Sequence, residues 1–154
     1  MRKSGAKIRH RNAHISGLVA QALKPEYETR LRLAVDSLRD GWMQVSQFDD
    51  LADTIDMLRI GLASYSQQKP DPSTEAAVEA GYIAVMNVRQ RYLEKGRFGA
   101  TGEELKAIQL LAEVSLDYWN RRSGALFHFA CEQLRALRAE QSKKFKEEQE
   151  RKAA

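Results

Sequence analysis

SQFDDLADTIDMLRIGLASYS, residues 46–66, decides the fold class. Phe48, Leu51, Ile55, Leu58, Leu62 and Tyr65 recur at alternating steps of three and four. That spacing lays one apolar stripe along a helix and is incompatible with the two-residue alternation of a strand. Ser46 with Asp49 three residues on predicts the N-terminal cap, and the stripe carries the helix to near Ser66.

The same period extends in both directions. Upstream, Tyr27, Leu31, Ala34, Val35 and Leu38 line a helix over about 26–40, ended by Gly41 as the left-handed residue past its last turn. Downstream, Lys69-Pro70-Asp71-Pro72 breaks the helix, because Pro70 biases Lys69 away from helical geometry while Pro72 suits the first position of a helix capped by Asp71. That third helix carries Val78, Tyr82, Val85, Arg89 and Tyr92 on one face, with Ile83 and Met86 broadening the apolar stripe, and Gly96 terminates it. Thr101 with Glu104 forms a capping box for a fourth helix, marked by Leu105, Ile108, Ala112, Ser115 and Trp119. A kink or short turn is expected at Arg121-Arg122-Ser123-Gly124, after which Phe127, Ala130, Cys131, Leu134, Leu137, Gln141 and Phe145 continue a stripe into a mixed-charge end. The reading is all-α: a helical bundle of four to five helices over 26–140, a basic N-terminal arm at 1–25 and a charged helical tail at 141–154 closing a long C-terminal helix.

Charge is distributed unevenly. Residues 1–25 hold Arg2, Lys3, Lys7, Arg9, Arg11 and Lys24 with no carboxylate, so the arm is +6, whereas the remaining 19 Lys and Arg against 21 Asp and Glu leave the body at −2. Interleaved cations and small polar residues suit phosphate contact, which supplies affinity without sequence readout. No apolar run approaches the ~20 residues of a membrane span, and no apolar h-region follows the basic start, so neither a membrane protein nor a secretory signal is expected. The single cysteine, Cys131, allows no internal disulfide and fits a reducing cytoplasm.

Several chemistries fail on residue grounds. A helix-turn-helix over Leu38 to Ile60 would present Asp49, Asp50, Asp53 and Asp56 to phosphates that repel them. His10 and His14 stand four apart but lie among cations with no glutamate between them, which disfavours a bound dication. A di-iron bundle needs paired Glu-x-x-His motifs, and three histidines at 10, 14 and 128 supply none. Cys131, flanked by Phe127, Phe129 and Ala130, reads as a packing residue rather than a thiolate, and Gly96, Gly99 and Gly102 lead into a helix without the Lys-Ser/Thr ending of a phosphate loop. No catalytic residue, metal ligand or cofactor is therefore assigned.

What remains are binding surfaces. The arm residues Arg2, Lys3, Lys7, Arg9 and Arg11 are candidates for contact with a partner or nucleic acid. Arg97, Arg121 and Arg122 would form a second basic area if their helix ends converge, and Phe127, Leu134, Leu137 and Phe145 are candidates for self-association into a homo-oligomer. The tryptophans and tyrosines, Trp42 among them, read mostly as core, an exposed one as a partner anchor.

Gly81, Arg91, Gly96-Arg97-Phe98, Thr101-Gly102-x-Glu104-Leu105-x-Ala107-Ile108, Glu113 and Asp117 resemble a pattern in small uncharacterised helical proteins of proteobacterial prophages and plasmids, which also tend to start with a basic segment. The resemblance covers about residues 1–120, departs in the longer C-terminal helix, and implies an accessory protein of a mobile element without assigning site residues. The expected function is a non-catalytic helical binding protein of the bacterial cytoplasm acting through a protein partner. The alternative is a nucleic-acid-binding regulator that uses the arm.

Overall fold

A computed structural model describes residues 23–64 and 70–154, and these form an all-α helical bundle. Helix α1 includes residues 23–40, α2 spans Val45–Ser64, α3 Pro72–Lys95, α4 Gly102–Asn120 and α5 Gly124–Ala153. Among the described residues there is no strand, and no helix is long and apolar enough to cross a membrane. The five arm cations at 2–11, His10, His14, Tyr65 and Ser66 lie outside the described residues.

Helix ends follow local chemistry with one correction. The α1 terminus is as expected: Gly41 sits at φ 81°, and the Trp42 N–H reaches back to the Ser37 carbonyl at 2.9 Å. Ser46, however, is not the cap of α2. The helix already includes Val45, and the Gln47 side chain accepts from the Gln44 N–H at 3.0 Å, so the reach-back half of a capping box operates two residues earlier than expected. Core packing decides the shift, because Met43 and Phe48, at the two hydrophobic-staple positions, both join the core. Asp71 caps α3 by accepting from the Thr74 N–H at 2.9 Å, and its own carboxyl is held down to about 2 by the Ser73 and Thr74 donors. Gly96 closes α3 at φ 72°, and Thr101 and Glu104 form the reciprocal capping box of α4 at 3.2 and 2.8 Å. Arg121, Arg122 and Ser123 make a true turn, with Ser123 capping α5, so Gly124 opens a helix rather than interrupting one.

Helix α2 is central, packing on α3, α4 and α5. Its stripe of Leu51, Ile55 and Leu58 is buried as its period requires. The pair α3 and α4 packs closest, and the reason lies in small residues: α3 buries Ala77, Val78, Gly81, Ala84, Val85 and Val88. A Cβ on Gly81 would stand 2.7 Å from Leu111 Cβ, a contact only glycine permits. The expected broader face is thereby corrected: Ile83 is 51% and Met86 38% exposed, and Arg89 also faces solvent. Edge-to-face rings tie α1, α4 and α5 together, with Phe127 5.5 Å from Tyr27 and 5.2 Å from Trp119. A second stack sets Phe98 of the α3–α4 loop between Tyr92 and Phe48, at 4.1 and 5.1 Å. Among the described tryptophans and tyrosines, Trp42 is the one that departs from the core reading, at 45% exposed.

Candidate functional site

The most site-like feature is a cleft of about 240 Å³ between α1, α2 and α5. Its floor is apolar: Leu23, Tyr27 and Leu31 from α1, Met57 from α2, Phe127, Cys131 and Leu134 from α5. Its rim carries both signs, with Glu26, Arg30 and Arg135 beside Asp50 and Asp53. The frame is set by two cations. Arg138 holds α5 on α2 by donating to Asp53 at 2.6 and 2.9 Å and to Asp56 at 2.8 Å. Lys24 Nζ donates to the carbonyls of Trp119 at 2.9 Å and Arg122 at 3.3 Å, placing a cation at the negative end of α4. One of the six arm cations is thus part of the bundle, and the boundary expected at residue 25 falls inside α1.

The row of aspartates on α2 that argued against a DNA-reading helix serves this frame. Burial raises the Asp50 carboxyl pKa, with Arg30 opposing and Asp53 and Asp49 adding to the rise. Burial raises Asp49 too, reinforced by Asp53 and opposed by Arg138. At the bottom of the cleft the Tyr27 hydroxyl is fully buried beside Thr54, Trp119 and Ser115, and burial outweighs these polar neighbours to push its pKa well above the ordinary phenol value. Burial likewise raises the Cys131 thiol, the opposite of what a nucleophilic thiolate requires. His128 Nε2 stands 3.7 Å from Glu132 of its own helix, and among the described residues no three His, Cys, Asp or Glu side chains are grouped to hold a metal.

Two of the proposed surfaces are corrected. Arg97 precedes α4 and Arg121 follows it, so the helix holds them apart by roughly 28 Å of axial rise and no second basic area forms. Arg121 pairs with Asp117 at 3.0 Å, and Arg122 lies 4.6 Å over the Tyr118 ring. Of the self-association candidates, Phe127 is 1% and Leu134 9% exposed, both inside the core because α5 turns this face onto α1 and α2. Leu137 and Phe145 do reach solvent, at 37% and 61%. Every residue from 139 to 154 is exposed, so α5 offers about 22 Å of uncovered helix next to the cleft.

Arg138 escaped sequence reading although a signal existed. An arginine four residues after Leu134 on an otherwise apolar face requires a carboxylate partner, and Asp53 and Asp56 stand in the one acidic row. Lys24 gave no such signal, since its acceptors are backbone carbonyls nearly a hundred residues away. Compared with known proteins, the chain matches no family model, no curated protein and no solved structure.

Proposed function

We propose that this chain is a non-catalytic helical binding protein, an accessory or regulatory factor of a mobile element in a bacterial cytoplasm, that takes an amphipathic helix of a partner protein in the α1–α2–α5 cleft. The observation that carries the reading is the cleft itself: an apolar floor, a rim of both charge signs, and a free length of α5 beside it. Helix-in-groove recognition uses these features, apolar anchors below and paired charges at the edges. The mobile-element part rests on the residue pattern around Gly96 and Thr101. A photo-reactive residue at position 145 of the full chain tests it in bacterial cytosol. One discrete cross-linked protein is expected, lost when Arg30→Glu and Arg135→Glu turn the mixed rim wholly acidic. No adduct beyond that of a control probe at Lys106 on α4 rejects the reading.

A second reading is supported by the charge asymmetry: with Lys24 counted in the bundle, residues 1–22 still carry +5 against −1 for the rest of the chain, which suits nucleic-acid contact. The full chain would then bind duplex DNA with an affinity falling steeply between ~50 and ~200 mM salt. No binding at the lower concentration removes it.

A further inference from the structure

The outer face of α3 carries a seam that no other described helix covers. Ala76, Glu79, Ile83, Met86, Gln90 and Leu93 recur at steps of three, four, three, four and three, and all six are exposed. They lie opposite the buried face centred on Gly81. Ile83, Met86 and Leu93 are 51%, 38% and 60% exposed, and Glu79 is the one charge among the six. This is the repeat of a helix-pairing seam, about 26 Å long, on a helix whose other face is already committed.

We propose that this seam pairs antiparallel with the same seam of a second copy of the chain. Read in reverse against itself about a two-fold axis between residues 84 and 85, the seam is complementary at every layer. Ala76 meets Leu93, small against large; Glu79 meets Gln90, acceptor against donor; Ile83 meets Met86, apolar against apolar. Gln90 already gives one amide hydrogen to Glu94 at 2.8 Å and has a second to offer. A parallel pairing would instead set Glu79 against Glu79, with Ala76 facing Ala76 across a gap. The exposed end of α5 is a poorer place for a second copy: Phe145 is followed on its face by Glu148 and Lys152, with no further apolar layer. Self-association therefore moves from α5, where the sequence placed it, to α3, and it uses a different surface from the cleft.

Two short helix faces make a small interface, so the dimer is weak and belongs to chain concentrations of about 10–500 µM. Sedimentation of the full chain over that range should show a monomer–dimer equilibrium. The double variant Ile83→Glu, Met86→Glu should be monomeric throughout, with unchanged helical circular dichroism, since both side chains are already outside the core. Register is read at Gln90. Gln90→Lys, facing Glu79 of the second copy, should tighten the dimer about fivefold, and Gln90→Glu should weaken it about fivefold. A wild-type chain that stays monomeric, a dimer indifferent to Ile83→Glu, Met86→Glu, or Gln90 variants that shift in the same direction each overturn the proposal. Cross-linking from position 145 is independent of these variants, so loss of the dimer and loss of the cleft reading are separate results.

Discussion

Single residues carry unequal electrostatic burdens in this bundle, and Asp50 shows the sign of the effect. Its carboxyl pKa is raised in the folded chain, chiefly by burial, so ionisation costs more folded than unfolded. The folded state then binds more protons between the unfolded value of about 3.9 and the raised folded value, and stability falls as pH rises through that window. Asp50→Asn should therefore stabilise the protein at pH 7 by a small amount, under about 0.5 kcal/mol because the carboxylate is only partly buried and Arg30 offsets part of the cost, with the gain vanishing below about pH 4. Thermal midpoints at pH 7 and pH 3.5 check it, and a larger gain at the acid end would refute it. Asp71 runs the other way: its lowered carboxyl stabilises α3 above the unfolded value and loses that contribution as pH falls toward about 2.

At the scale of elements, caps and stripes were legible where the controlling contact is local. Asp71-Pro72, Gly96, Thr101 with Glu104 and Gly41 each act within five residues, and each forms as read. The α3 face was misread because its buried side is chosen by α4. Close approach selects Gly81 and alanines, leaving the larger Ile83 and Met86 outside, contrary to the usual ranking by hydrophobicity. Gly81→Ala tests that account. Its Cβ would press on Leu111 at 2.7 Å, so despite the better helix propensity of alanine the protein should lose about 1–3 kcal/mol, measured by urea denaturation. A stabilised variant would mean that α3 and α4 can separate without cost.

Across the whole molecule, long-range polar contacts decide how the elements assemble. Arg91 bridges the capping-box carboxylate of Glu104 at 3.0 Å and also donates to the Gly99 carbonyl, so the α3–α4 loop and the start of α4 share one network. Arg138 does the same between α5 and α2, 85 residues apart. Arg138→Ala should cost about 1 kcal/mol, since the pair is partly exposed, and should loosen α5 at the cleft; Arg135→Ala, whose ion pair among the described residues is with Glu132 of its own helix, should change stability by under about 0.5 kcal/mol. Hydrogen exchange along residues 127–138 would show the loosening, and equal protection in both variants would refute it.

The sequence by itself determined that the chain is helical and roughly where each helix stops, because period, proline, glycine and caps act through neighbours in the chain. It also determined the charge imbalance between the arm and the body. Only the tertiary structure decided which side of each stripe is core: Phe127 and Leu134 inward, Ile83, Met86 and Leu93 outward. It likewise decided that Arg97 and Arg121 stand at opposite ends of α4 and that Lys24 belongs to the bundle. Those outcomes depend on which helix lies opposite and how closely it approaches, and burial is a property of the pair of surfaces rather than of either sequence segment.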